Sequence, residues 1–169
     1  MLKSLSPATP GRTAMPGTGA AHPWRPLLIG TALIGSADLL FAWSFWASKG
    51  VSFVDILHSI ARGWYGKASD GMGMTSALVG AASHYTIIFG MLLAYSLAAR
   101  LHAGFTRYVI VLGAAYGLLL YLIMNFVLLP LSAAGLPKFN NLAWVASSIA
   151  MHMLIGVMIA WFVKKALAR

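Results

Sequence analysis

Four polar residues interrupt long apolar stretches of the sequence: Asp38, His84, Asn125 and His152. A carboxyl group and an imidazole are suited to passing a proton, because imidazole changes its charge near neutral pH. Tyr121 lies four residues before Asn125 and therefore on the same face of a helix. Because ionisable residues inside apolar spans usually face the interior of a helix bundle, these five residues form our candidate polar interior.

The distance of these residues from the flanking basic side chains predicts their depth in a membrane. At a rise of about 1.5 Å per residue, Asp38 lies ~20 Å and His152 ~18 Å from one membrane face. His84 lies ~24 Å and Asn125 ~27 Å from that same face. We therefore predict that Asp38 pairs with His152. Such a pair either relays a proton or only joins two helices by a hydrogen bond.

Two histidines on separate helices, His84 and His152, are also the arrangement found in bis-histidine haem b sites. Their predicted depths differ by about 6 Å, which makes haem b the weaker hypothesis. The chain has no Cys, and two His and one Asp without i, i+4 spacing are a weak metal signal. We predict no metal and no cofactor other than this haem hypothesis.

The composition also argues against an enzyme and against a nucleic-acid-binding protein. The sequence lacks Cys and Glu, has three Asp, and contains neither a phosphate-binding glycine motif nor H-E-x-x-H. Its net charge of +9 is spread thinly beside apolar segments, with no run of five basic residues. We therefore predict neither catalysis nor a nucleic-acid partner.

The apolar content of the chain predicts a membrane protein. The sequence is 60% hydrophobic and only 9% charged, whereas soluble domains carry roughly 25% charged residues. Four apolar runs, each long enough to cross a bilayer, predict transmembrane helices at residues 27–47, 76–99, 108–131 and 142–163. The fold class is thus an all-α integral membrane four-helix bundle, with residues 27–169 as one transmembrane domain and residues 1–26 as a disordered cytoplasmic tail.

The distribution of basic residues predicts the orientation of this bundle. Eight lie on the side of the two termini: Lys3, Arg12, Arg25, Arg100, Arg107, Lys164, Lys165 and Arg169. Four lie on the other side: Lys49, Arg62, Lys67 and Lys138. By the positive-inside rule, both termini are cytoplasmic. The short connection between residues 100 and 107 also predicts that the second and third spans form a tight antiparallel hairpin.

Residues 52–65 predict an additional amphipathic helix between the first and second spans. Ser52 and Asp55 have the spacing of a helix-capping pair. Apolar residues recur at a spacing of three to four, whereas the opposite stripe is polar and contains Asp55, His58, Ser59 and Arg62. We expect this helix to lie on the outer membrane surface, with its polar stripe in water.

Three stretches resemble a group of small, uncharacterised bacterial four-helix inner-membrane proteins that are distantly YagU-like. They are Ser36-Ala-Asp-Leu-Leu-Phe-Ala-Trp, His84-Tyr-Thr-Ile-Ile-Phe-Gly and Tyr121-Leu-Ile-Met-Asn-Phe-Val-Leu-Leu-Pro-Leu-Ser. The resemblance implies a bacterial cytoplasmic membrane and four helices. It implies no activity, but it includes Asp38, His84 and Asn125.

These observations favour a channel, a transporter or an accessory component that acts through a polar bundle interior. A structural or assembly subunit of a larger membrane complex is the alternative, and a haem b protein is the third hypothesis. The lipid bilayer is the expected environment. A chain of 18.0 kDa is small for a complete transporter, so we expect a homo-oligomer or a larger complex.

Overall fold

The computed structural model describes residues 24–168, and these residues form an all-α four-helix bundle with no strand. In chain order the helices are α1 (Trp24–Ala47), α2 (Phe53–Tyr65), α3 (Met74–Leu101), α4 (Gly104–Arg107), α5 (Val109–Leu131) and α6 (Leu142–Leu167). Helices α1, α3, α5 and α6 are each long and apolar enough to cross a membrane. The fold class predicted from the sequence is therefore confirmed.

The helix ends differ from the predicted boundaries by a few residues. The predicted tail falls mainly on residues 1–23, which lie outside the described part of the chain; α1 begins at Trp24. Pro26 is tolerated there because the first N–H groups of a helix have no partner within the helix. At the other end α6 continues to Leu167, and the Lys165 ammonium lies 3.7 Å from the Trp161 ring centroid. Such long basic side chains extend an apolar helix beyond its apolar run.

Helix α1 packs against both α3 and α6, and α5 packs chiefly against α6. This arrangement differs from the predicted tight hairpin of α3 and α5. A link between those two helices is the Tyr116 hydroxyl, which donates to the Met91 carbonyl oxygen at 2.9 Å. Helix α5 packs on α6 and not on α3 because glycines line the α5–α6 interface, so that these two helices approach each other through residues without side chains.

Three glycines form the crossing point of α5 and α6. A Cβ atom added to Gly113 would lie 2.7 Å from the Val157 Cα, and one added to Gly117 would overlap the His152 carbonyl. From the opposite side, a Cβ on Gly156 would lie 2.7 Å from the Gly117 Cα. Small residues spaced four apart allow such backbone contact between apolar helices.

Near its end, α5 contains a π-helical segment, Met124–Leu128. Pro130 follows two residues later, has no N–H and crowds the carbonyl four residues before it. A wider turn relieves this crowding, and π segments within α-helices are frequent at functional sites. Asn125 lies inside this segment.

Helix α2 begins with the predicted cap. The Asp55 N–H donates to the Ser52 hydroxyl at 3.2 Å, and the Ser52 N–H donates to the Asp55 carboxylate at 2.9 Å. The Ser52 side chain and backbone hydrogen bonds hold the pKa of Asp55 below its usual 3.8. This reciprocal pair satisfies N–H groups that a helix start would otherwise leave without partners.

His58 does not lie on a solvated stripe as predicted. It is buried, and its Nε2 lies 2.9 Å from the Gly73 carbonyl oxygen, so it donates a hydrogen bond there. The cause is that α2 packs on the start of α3, where Gly80 leaves room for the Leu57 carbonyl. Two faces of α2 are therefore covered instead of one. Asp55, Ser59 and Arg62 are exposed as expected.

A 3-10 turn, Gly66–Gly71, returns the chain from α2 to α3. Arg62 binds Asp70 through two hydrogen bonds of 3.0 and 2.7 Å. The buried Ser69 hydroxyl donates to the His58 carbonyl at 2.8 Å, and the Ser76 hydroxyl donates to the Ser69 carbonyl at 2.7 Å. The connection between the first two spans is therefore a folded cap on one end of the bundle.

Candidate functional site

Two predicted site residues on different helices, Asp38 on α1 and His84 on α3, lie next to each other. The Asp38 Oδ2 and the His84 Nε2 are 4.0 Å apart. The same nitrogen lies 2.9 Å from the Gly35 carbonyl oxygen. A carbonyl oxygen only accepts hydrogen bonds, so Nε2 carries the proton and Nδ1 is the basic nitrogen of neutral His84.

The predicted pairing of Asp38 with His152 is therefore corrected: His84 is the partner in direct proximity. His152 lies within electrostatic range of the same carboxyl but forms no contact with it within 4.0 Å among the described residues. The predicted depths of Asp38 and His84 differ by about 4 Å, less than one helical turn. Tilt of the two helices removes a difference of that size.

A serine and a tyrosine beside this pair were missed by the search for charged residues in the spans. The Ser36 and Tyr85 hydroxyls are 2.9 Å apart and join α1 to α3. Both residues are in the stretches that carry the family resemblance, which was the available signal. Gly35 lets them meet, because a Cβ atom there would lie 2.6 Å from the Tyr85 ring.

His152 and Tyr121 form a second group, between α6 and α5. Their rings meet edge to face with centroids 5.4 Å apart. The His152 Nδ1 lies 2.9 Å from the Ser148 carbonyl oxygen and donates to it, which leaves Nε2 as the basic nitrogen of the neutral ring. Tyr121 is buried, and His152 is half-buried.

Asn125 belongs to this second group only through the backbone. Its Nδ2 donates to the Tyr121 carbonyl oxygen at 2.9 Å, four residues earlier in the same helix. The bond places the amide at the π segment, where the regular hydrogen-bond pattern of α5 changes. This is a local structural role, and the structure does not bring Asn125 to the Asp38 carboxyl.

The main cluster of buried apolar side chains lies on one side of these polar residues. On each helix, the buried members of this cluster lie between the polar residue and the end of the bundle that contains Arg100. They are Leu27, Ile34, Ile88, Leu92, Tyr95, Ala99, Leu120, Ile155, Ile159, Ala160, Phe162 and Val163. Beyond Asp38, no α1 residue is buried except its neighbour Leu39. The polar residues thus lie between this cluster, which we call the closed half of the bundle, and the half that contains α2, where α1 has little buried surface.

Aromatic rings join α1 to α6 in the half that contains α2. Trp144 stacks on Phe41 with centroids 5.7 Å apart and contacts Phe45 and Trp46 at 5.0 and 5.4 Å. Lys49 lies 4.6 Å from the Trp46 ring centroid. The Asp38 side chain, 24% exposed, lies between this aromatic cluster and the closed half. The carboxyl is therefore not fully enclosed by protein.

The geometry of the site offers no three-residue metal site among the described residues, and it occupies one of the two nitrogens that haem b would need. Within residues 24–168, no three carboxylate or imidazole groups are close enough to share a metal ion. Haem b would need the Nε2 of His84, which now binds the Gly35 carbonyl. The haem hypothesis stays a prediction, and an absorption spectrum of the purified protein tests it.

Comparison of the chain with protein-family models, with curated proteins and with solved structures finds no match. The resemblance to small bacterial inner-membrane proteins consequently stays a prediction. A functional proposal for this chain has to depend on the arrangement of its own residues.

Proposed function

We propose that the protein is a channel or transporter component that passes protons through the polar interior of its bundle. The proposal includes a bacterial cytoplasmic membrane with both termini inside. One observation carries it: the Asp38 carboxyl lies 4.0 Å from the His84 imidazole, immediately above the apolar core. Because a charged group at this depth is costly, a purely structural bundle gains little from keeping an acid there.

The two nitrogens of His84 give the relay a direction. Nε2 carries its proton and faces both Gly35 and Asp38, so an incoming proton must bind Nδ1. The resulting imidazolium releases the Nε2 proton to the Asp38 carboxylate. Direct transfer requires a separation of about 2.6–3.2 Å, or one bridging water. The observed 4.0 Å leaves room for either a small side-chain movement or that water.

The closed half of the bundle supplies the barrier that such a relay needs. Leu92, Ile155 and Ile159 in this half have relative exposures of 0 to 2% and leave little room for water on the Arg100 side of Asp38. A proton that has passed from His84 to Asp38 is therefore held there until the closed half opens. Hydrophobic constrictions of this kind gate channels by excluding water.

Proton flux into liposomes tests this proposal. Purified protein is reconstituted with a pH-sensitive dye inside, and a membrane potential is imposed with potassium and valinomycin. We expect flux from the wild type and none from Asp38→Asn, which keeps the hydrogen-bonding shape but cannot titrate. Asp70→Asn is the matched control, because that carboxylate is exposed and pairs with Arg62 away from the bundle interior.

Equal flux through wild-type and Asp38→Asn liposomes would overturn the proposal, as would wild-type flux no greater than that of empty liposomes. The latter result favours the structural or assembly subunit. Mass spectrometry of the natively purified protein would then identify the complex or the homo-oligomer to which the chain belongs.

A further inference from the structure

A groove at the Arg100 end of the bundle is separate from the polar site. It lies where α1, α3 and the end of α6 meet, and we call it the Arg100 groove. Its lining consists of Trp24, Leu27, Leu93, Ser96, Leu97, Arg100, Ala166 and Leu167. The floor is apolar, and the Ser96 hydroxyl binds the Leu92 carbonyl of its own helix, so it offers no free donor. Arg100 is the one charged side chain of this lining.

Among residues 24–168, the charged side chains around the Arg100 groove are all basic. Arg25, Lys164 and Lys165 are exposed at the same end of the bundle. All three acidic side chains of the sequence lie elsewhere, because Asp38 is at mid-bundle and Asp55 and Asp70 are at the α2 end. Arg100 therefore has no carboxylate side chain to pair with, and its charged neighbours among the described residues carry the same sign.

An apolar groove beside basic side chains favours a ligand that has both a hydrocarbon chain and a negative charge. An apolar groove with 62% exposed Leu97 accepts a hydrocarbon chain, and a guanidinium at its mouth binds a phosphate through two parallel hydrogen bonds. A free anion would leave the leucines uncovered, and a phospholipid with a cationic headgroup would add a positive charge to an end of the bundle that is already basic. Basic recesses between membrane helices bind anionic lipid headgroups by this physics.

We propose that the Arg100 groove is a binding site for an anionic phospholipid, with one acyl chain along Leu93 and Leu97 and the phosphate on Arg100. The inference requires that the bundle crosses a membrane, but it does not require proton transfer. The lipid would cover the seam between α1 and α3 next to the closed half of the bundle, and so would hold the apolar core together.

Lipid retention measured by native mass spectrometry tests the site. The detergent-purified full chain is mixed with phosphatidylglycerol or with phosphatidylcholine of the same acyl chains. We expect phosphatidylglycerol to be retained in preference, as one tightly held molecule per chain. Arg100→Gln should weaken its retention by about fivefold, the effect of one basic residue at a membrane surface.

Arg107→Gln is the matched control. Arg107 lies at the same end of the bundle but packs over Tyr108 at 5.2 Å and does not line the groove. Leu97→Trp, which fills the groove without changing charge, should also reduce retention. Equal losses for Arg100→Gln and Arg107→Gln would show diffuse attraction instead of a site. Equal retention of the two lipids by the wild type would likewise overturn the proposal.

Discussion

Gly156 lies at the closest approach of α5 and α6, and its replacement by alanine tests the crossing. A Cβ atom there would lie 2.5 Å from the Gly117 nitrogen and 2.7 Å from its Cα. Carbon atoms in contact prefer about 3.5–4.0 Å, so the helices must separate by roughly 1 Å. Overpacking of this size typically costs ~1–3 kcal/mol.

Gly90 in α3 provides the matched control, because a Cβ atom added there meets nothing within 4 Å. Alanine at either position gains the same helix propensity, about 1 kcal/mol over glycine. That gain cancels in the comparison. The free energy of unfolding of Gly156→Ala should therefore be ~1–3 kcal/mol lower than that of Gly90→Ala.

Titration with sodium dodecyl sulfate in mixed micelles measures this difference through tryptophan fluorescence, since the chain has six Trp. Double replacement of Gly117 and Gly156 should give less than the sum of the two effects, because both atoms occupy one contact. If Gly156→Ala and Gly90→Ala unfold at the same detergent fraction, the backbones of α5 and α6 are not in contact and the packing argument is wrong.

Two further predictions concern the α2 end of the bundle. Ser52→Ala should lower the unfolding midpoint by removing the acceptor for the Asp55 N–H. Because hydrogen bonding lowers the Asp55 pKa below 3.8, the cap stabilises the fold above that pH and is lost as the pH falls through the lower folded value. Wild type and Ser52→Ala should therefore converge in stability in acid, and a constant difference would contradict this. A reporter active only in the periplasm should be active when fused within Ala68–Thr75 and silent after Arg169, and the reverse result would invert the orientation.

The four spans and the cap of α2 could be predicted because each depends on signals local in sequence. Apolar runs of more than twenty residues leave the backbone no alternative to a helix in lipid. The Ser52 and Asp55 spacing similarly specifies a helix start within four residues. The glycines at positions 113, 117 and 156 could also be recognised as a packing face.

The partners of the polar residues could not be predicted, because they depend on how the helices tilt and which neighbours they choose. Counting residues placed Asp38 level with His152, but the Asp38 carboxyl lies 4.0 Å from His84. The predicted depths of Asp38 and His84 differ by less than one helical turn, which is too little for residue counting to exclude this pairing. His58 was misplaced for a related reason: a helical periodicity shows that one face is apolar but not that a second face is covered. Only the contact of Gly80 with the Leu57 carbonyl reveals that cover.

The dependence of α5 on α6 has a consequence for biosynthesis. During translation α5 leaves the ribosome before α6 exists, so it must enter the bilayer without its chief neighbour. Two features of α5 suit it to lipid during the time before α6 is synthesised. Its mean hydropathy of 2.1 is the highest of the four spans, and its one amide side chain, Asn125, bonds to the Tyr121 carbonyl of its own helix. Both features lower the cost of holding α5 in lipid before α6 arrives and completes the bundle.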